Sequence, residues 1–151
     1  ISNSEILDKY HLTEKGRQEV AQQAKKLAEQ GIDIIVSSDL MRTKETARMV
    51  AEACGIDSNE IVYDVRLREY SVGPDREGKL WKDTEDHVRL HGFFPGMEKP
   101  ADLKKRVFEA LYDIDKKYSG KKSLIVSHGS PLNNLLHGID ATSGFDKVFH
   151  D

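Results

Sequence analysis

From Thr13 onward, the chain alternates between stretches patterned like helices and stretches patterned like buried strands. In "LTEKGRQEVAQQAKKLAEQG" (12–31), Val20, Ala24, Leu27 and Ala28 recur at helical spacing among polar residues, which places them on one helical face. Thr13 stands where a cap belongs and Gly31 where a stop belongs. "IDIIV" (32–36) is apolar and β-branched without alternation, the signature of a parallel strand covered on both faces. Ser37-Ser38-Asp39 then opens a second helix, "LMRTKETARMVAEACG" (40–55), with Leu40, Ala47, Val50, Ala51 and Cys54 on one side and Gly55 as terminator. A strand is expected near 61–65, within "EIVYDVRLREY" (60–70). Residues 71–100 are broken by Gly73, Pro74, Gly78, Gly92, Pro95, Gly96 and Pro100, with a helical excursion at "KLWKDTEDHVRL" (79–90). "PADLKKRVFEALYDIDKKYSG" (100–120) reads as a helix with proline at its start and glycine after it; Leu103, Val107, Ala110, Leu111 and Ile114 point inward. "LIVS" (124–127) is a buried strand, and a helix follows from Pro131.

Helices and strands in this order predict an α/β fold of three layers, a mainly parallel sheet flanked by helices. No repeat, linker or low-complexity stretch divides the chain, so residues 1–151 are expected to form one domain. In such sheets, ligands bind in the crevice beyond the carboxyl ends of the strands. That rule gathers three loops: "SSDLMR" (37–42), "RLREY" (66–70) and "SHGSP" (127–131).

Composition narrows the partners. The net charge of -3, with both signs interspersed, leaves no basic footprint for nucleic acid. No apolar run approaches the roughly 20 residues of a membrane span, and no signal peptide is visible. The single cysteine, Cys54, has no partner for an internal disulfide, and its place on an apolar helix face suits a buried structural thiol. A reducing, cytoplasmic setting is the expectation. The histidines and acids show no metal-ligand spacing, and nothing in the sequence assigns an oligomeric state.

The three loops carry suggestive chemistry. Arg42 sits in the first turn of a helix that begins at a strand's end, where free N–H groups and the helix dipole favour an anion. Its guanidinium can grip phosphate through two parallel charge-assisted hydrogen bonds; the plainer alternative is an ion pair with Glu45 three residues on. His128 ends the strand at 124–127, and Gly129 behind it leaves room for a bound group to approach the backbone. An imidazole with its ordinary pKa near 6.5 can hold or pass charge near neutrality; the alternative is a strand-end histidine bonded to a loop. Glu69 is a candidate general acid, or else an exposed charge beside Arg66 and Arg68.

Taken in order, "LTEKGRQEV" (12–20), "IVSSDLMRTKETA" (35–47), "RLREYSVGPDREGK" (66–79), "GMEKPADLKKRV" (96–107) and "LIVSHG" (124–129) resemble the successive motifs of the histidine phosphatase superfamily, the phosphoglycerate mutase-like fold. The second and last blocks are specific in combination, and the resemblance spans residues 12–138. It implies a phosphohistidine mechanism: a histidine attacks phosphorus, a carboxylic acid protonates the leaving oxygen, and water hydrolyses the phosphoenzyme. By this resemblance Arg42 matches the phosphate-binding arginine, Glu69 the proton donor, and His128 the second active-site histidine. Ser2 falls where the family has Thr or Ser near the phosphate, and Gly129 adjoins the same group. No cofactor or metal is implied; the substrate is a small phosphorylated metabolite.

The family's Arg-His-Gly triplet, which ends a first strand and carries the nucleophile, does not occur in the 151 residues. His11 lacks its flanking residues and is no substitute. The expectation is a domain whose first strand, and possibly its last, has been removed or left out. The alternative is a phospho-ligand-binding or interaction module without turnover. Within the family, Tyr70 stands where the mutases have an arginine after the catalytic glutamate, which favours a phosphatase over a mutase. A serine hydrolase built on Ser127 or Ser130 is disfavoured, since neither has a G-x-S-x-G setting. Substrate specificity is expected in residues 71–98, where Phe93 and Phe94 either line a pocket or form a satellite core.

Overall fold

A computed structural model describes residues 9–73 and 81–139. Helix α1, Glu14–Ala28, starts as its sequence demands: the Thr13 hydroxyl oxygen accepts from the Gly16 N–H at 3.0 Å. Strand β1, Ile34–Ser37, leads into α2, Met41–Cys54. Gly55 ends α2 with φ +70, a left-handed conformation that aims its N–H back at the Ala51 and Glu52 carbonyls. Strand β2, Val62–Tyr63, is followed by a 3-10 turn at Val65–Leu67. Helices α3 (Trp81–His91) and α4 (Pro100–Lys117) come next, with proline in the first turn of α4. Strand β3 (Ser123–Val126) and α5 (Gly129–Ile139) complete the order.

The three strands form one parallel sheet in the order β2-β1-β3. Ile35 pairs with Leu124 and Val36 with Ile125, so these two central pairs each present two apolar side chains to the same face. On one face Ile35 and Val126 meet Ala24 of α1 and Ala47, Val50 and Ala51 of α2. On the other, Val36 meets Leu67 and Ala110 and Ile114 of α4, with Ile34 and Ile125 alongside. Helices on both faces explain why the strands read as continuous apolar runs. A third cluster, Leu103, Val107 and Leu135 with Tyr70, Leu111 and Leu132, seats α5 on α4. Cys54 is half-buried against the first cluster, in the structural setting its helix face implied.

Two local expectations change. The strand after residue 60 has two residues, not five, because the Asp64 carboxylate accepts from the Arg66 N–H at 2.9 Å and turns the chain into the 3-10 loop. Helix α2 also lacks the side-chain cap its serines and aspartate suggested: its N-cap is Leu40, with no side-chain cap bond. Ser38 and Asp39 have other partners, and those partners belong to the crevice.

Candidate active site

The carboxyl ends of β1, β2 and β3 meet in one place, and side chains tie their loops together. The Ser38 hydroxyl, after β1, bonds the His128 Nε2, after β3, at 2.9 Å. Asp39, beside Ser38, accepts both arms of Arg68 from the loop after β2, each at 2.6 Å. Ser127 donates its hydroxyl to the Leu67 carbonyl at 2.7 Å. Every pair of the three loops is therefore linked directly, which is the rigid support a reacting site requires.

Arg42 occupies the first turn of α2, half-buried. Its guanidinium makes no hydrogen bond or ion pair among the described residues, while its backbone carbonyl accepts from the Thr46 hydroxyl at 2.9 Å. Glu45, its expected i+3 partner, is taken: its carboxylate accepts from His11 Nδ1 at 2.7 Å, the Leu12 N–H at 2.7 Å and Arg17 at 2.9 Å. That arrangement, led by the His11 bond, holds the Glu45 pKa down at about 2. The same bonds settle His11 as a tether of the chain before α1. Burial lowers the Arg42 pKa, and the charge of Glu69 opposes that change. A half-buried guanidinium compensated among the described residues by the fields of Glu69 and Tyr10, without a direct ion pair, is a cation poised for an anionic ligand.

Glu69 is half-buried, not an exposed surface charge. Its Oε1 accepts from the Tyr70 N–H at 2.8 Å and the Ser130 N–H at 3.3 Å, the latter at the start of α5. Arg66 and Arg68 do not neutralise it, since Arg66 pairs with Asp64 and Asp113 and Arg68 with Asp39. Among the described residues, a Cβ placed on Gly129 would meet only Glu69 Oε2, at 4.0 Å, so there is room there beside the carboxylate. Ser2 lies outside the described residues.

His128 is 7 % exposed. Burial, seconded by the Arg42 charge, pushes its pKa down to about 4, against the opposing pull of Glu69. Enclosed at the end of β3, the ring is held in its neutral form at pH 7. A phosphate dianion beside it would raise its pKa again. The shift carries a stability consequence. As pH falls below 6.5, the unfolded chain takes up this proton, while the folded chain refuses it until about pH 4. Folding stability from this group is therefore complete above pH 6.5 and declines by on the order of 3 kcal/mol as pH falls to 4. Urea unfolding at pH 7 and pH 4.5 should show a smaller acid loss in His128→Gln than in the parent chain. An equal loss would contradict the shift.

The sequence matches the histidine phosphatase superfamily (branch 1) over residues 7–145. The chain belongs to this family. Curated relatives include the probable phosphoglycerate mutase GpmB of Enterobacter sp. (strain 638), 38% identical over 139 residues covering 85% of this chain. The chain spans 62% of the length of that relative. Among solved structures, YhfR of Bacillus stearothermophilus is 31% identical, with a TM-score of 0.75, covering 87% of this chain and 68% of its own. A mycobacterial glucosyl-3-phosphoglycerate phosphatase in complex with inorganic phosphate is 25% identical, with a TM-score of 0.69, covering 85% of this chain and 69% of its own. The fold is accordingly phosphoglycerate mutase-like.

Sequence reasoning placed Arg42, Glu69 and His128 at one crevice, and in this family member their charges do act on one another there. It missed the residues that hold them. Ser38 and Asp39 stand inside "SSDLMR", where the sequence marks only the opening of a helix. Arg106 and Glu98 lay within a family block without any assigned task. Of the two candidate specificity aromatics, Phe94 stacks on His87 at 3.8 Å while Phe93 is exposed. Among the described residues, no helix is long and apolar enough to cross a membrane.

Proposed function

We propose that this chain is the phosphoryl-binding and proton-donating part of a histidine phosphatase that hydrolyses a small phosphomonoester. The observation that carries this reading is Arg42: half-buried at a helix N-terminus, without an ion-pair partner among the described residues, beside a neutral buried His128 and the Glu69 carboxyl. Phosphate matches that cation and those helix N–H groups in charge and in hydrogen-bond geometry. In the first step, the nitrogen of the nucleophilic histidine that the family carries in its Arg-His-Gly triplet attacks phosphorus. A P–N bond forms as the P–O bond to the alcohol breaks, and Glu69 delivers its proton to the departing oxygen. In the second step, water attacks phosphorus, the P–N bond breaks, and Glu69 takes the water's proton. Arg42 and His128 stabilise the equatorial oxygens in both steps.

Hydrolysis is preferred to mutase transfer because of Tyr70. It follows Glu69 directly and packs with Leu103, Val107 and Leu135, so a phenol ring stands at the position where the mutases place an arginine for the substrate carboxylate. The names of the curated relatives favour the second reading, phosphoglycerate mutase. The fate of the phosphoryl group in the complete gene product separates the two. Hydrolysis predicts release to water, with no stimulation by 2,3-bisphosphoglycerate; stimulated interconversion of phosphoglycerates would establish the mutase. Neither a nucleic acid nor a membrane partner belongs to this proposal.

A further inference from the structure

The loop that carries Glu69 has no strand ladder after Tyr63, so its backbone carbonyls need other partners. Side chains supply them for four successive residues. Ser127 takes the Leu67 carbonyl, and one residue, Arg106 of α4, takes those of Arg66, Arg68 and Glu69. Arg106 Nη1 donates to the Arg66 and Arg68 oxygens, the latter at 2.8 Å, and Nη2 donates to the Glu69 oxygen at 3.2 Å. Its remaining N–H groups go to Glu98, from Nε at 2.6 Å and from Nη2 at 2.9 Å. All five N–H donors of the guanidinium are thereby used. Glu98 extends the clamp: its backbone N–H donates to the Ser71 carbonyl at 2.9 Å, and its carboxylate accepts from the Ser71 N–H at 3.3 Å.

We infer that Arg106, oriented by Glu98, is a positioning residue for Glu69: it grips the backbone of the acid's loop from the α4 side and so fixes where the acid's proton is delivered. The inference rests on the reading of Glu69 as general acid. Arg106 does not bond the Glu69 carboxylate; it holds the carbonyls of Arg66, Arg68 and Glu69, while Tyr70 and Ser130 N–H groups hold the acid's oxygen. An acid fixed by its main chain on one side and by its carboxylate on the other has little freedom to swing. Proton transfer in the transition state is sensitive to displacements of this kind, a misplacement near 1 Å costing on the order of 100-fold. A lysine has three rotatable donors in place of the planar fork, so it cannot reproduce the pattern.

The test uses the complete gene product and compares an aryl phosphate, whose leaving group hardly needs a proton, with an alkyl phosphate, which does. Glu69→Gln is the reference, and it should reduce turnover of the alkyl substrate far more than of the aryl one. Arg106→Lys should follow the same pattern at smaller scale, with kcat for the alkyl phosphate down about 10-fold, the aryl rate down less, and KM nearly constant. Glu98→Gln should shift the same ratio in the same direction and covers the case in which Arg106→Lys folds poorly; thermal unfolding is followed for each variant. In the Glu69→Gln background, Arg106→Lys should cost nothing further that is specific to the alkyl substrate. A selective loss in Glu69→Gln, together with equal losses on both substrates in Arg106→Lys and Glu98→Gln, would reduce Arg106 to a purely structural residue and overturn the inference. An equal loss in Glu69→Gln itself would remove the general acid, and the positioning role with it.

Discussion

Arg42→Ala in the complete gene product should lower kcat/KM for phosphomonoesters by on the order of 1,000-fold, the scale reached when a preorganised donor to developing charge is removed. It should do so without harming the fold. Arg42 sits half-buried in the first turn of α2, and its guanidinium makes no hydrogen bond or ion pair among the described residues. Removing it therefore leaves no partner unsatisfied and relieves a desolvated charge. The thermal midpoint should stay constant or rise slightly, and inhibition by inorganic phosphate should weaken in parallel with turnover. Arg42→Lys should recover only part of the loss, because an ammonium group lacks the fork that matches two phosphate oxygens. A variant that loses stability but keeps its kcat/KM would make Arg42 a structural residue.

Glu69→Gln should cost an alkyl phosphate on the order of 100-fold in kcat and an aryl phosphate only a few-fold, since a general acid matters most when the leaving oxygen is basic. The substitution is conservative for the fold. An amide oxygen can still accept from the Tyr70 and Ser130 N–H groups that now bind the carboxylate, so the missing proton is the main change. Equal losses on the two substrates would exclude Glu69 as the acid.

Much of this arrangement could be read from residue order alone. The unbroken apolar run "IDIIV", helices bounded by Thr13, Gly31, Gly55 and Pro100, and the alternation of elements were enough for a parallel sheet between helices, because each signal is local. The meeting of Arg42, Glu69 and His128 followed from one topological rule about strand ends. What stayed hidden was long-range and had no period. Nothing local in "DLKKRVFE" marks Arg106 rather than Lys104 or Lys105 as the residue that reaches three carbonyls some forty positions earlier. Ser38 and Asp39 carry a cap signature because the same short polar side chains serve both uses; the choice was made by His128 and Arg68, distant in the chain. The length of β2 likewise depended on which backbone group Asp64 captured. The neutrality of His128 is a matter of how deeply a strand end is covered, which the motif "SHG" does not encode.

The central claim is that a phosphoryl group passes through histidine to water. The direct test is to mix the complete gene product with a phosphomonoester labelled in its phosphoryl group, quench within the first turnover, and examine the protein and the released label. The account predicts a transient protein-bound label that survives alkali and is lost in acid, as a phosphoramidate should be, followed by stoichiometric release as inorganic phosphate. A label that never appears on the protein, one that survives acid as a serine ester would, or one that passes to a second phosphoglycerate instead of water would contradict it.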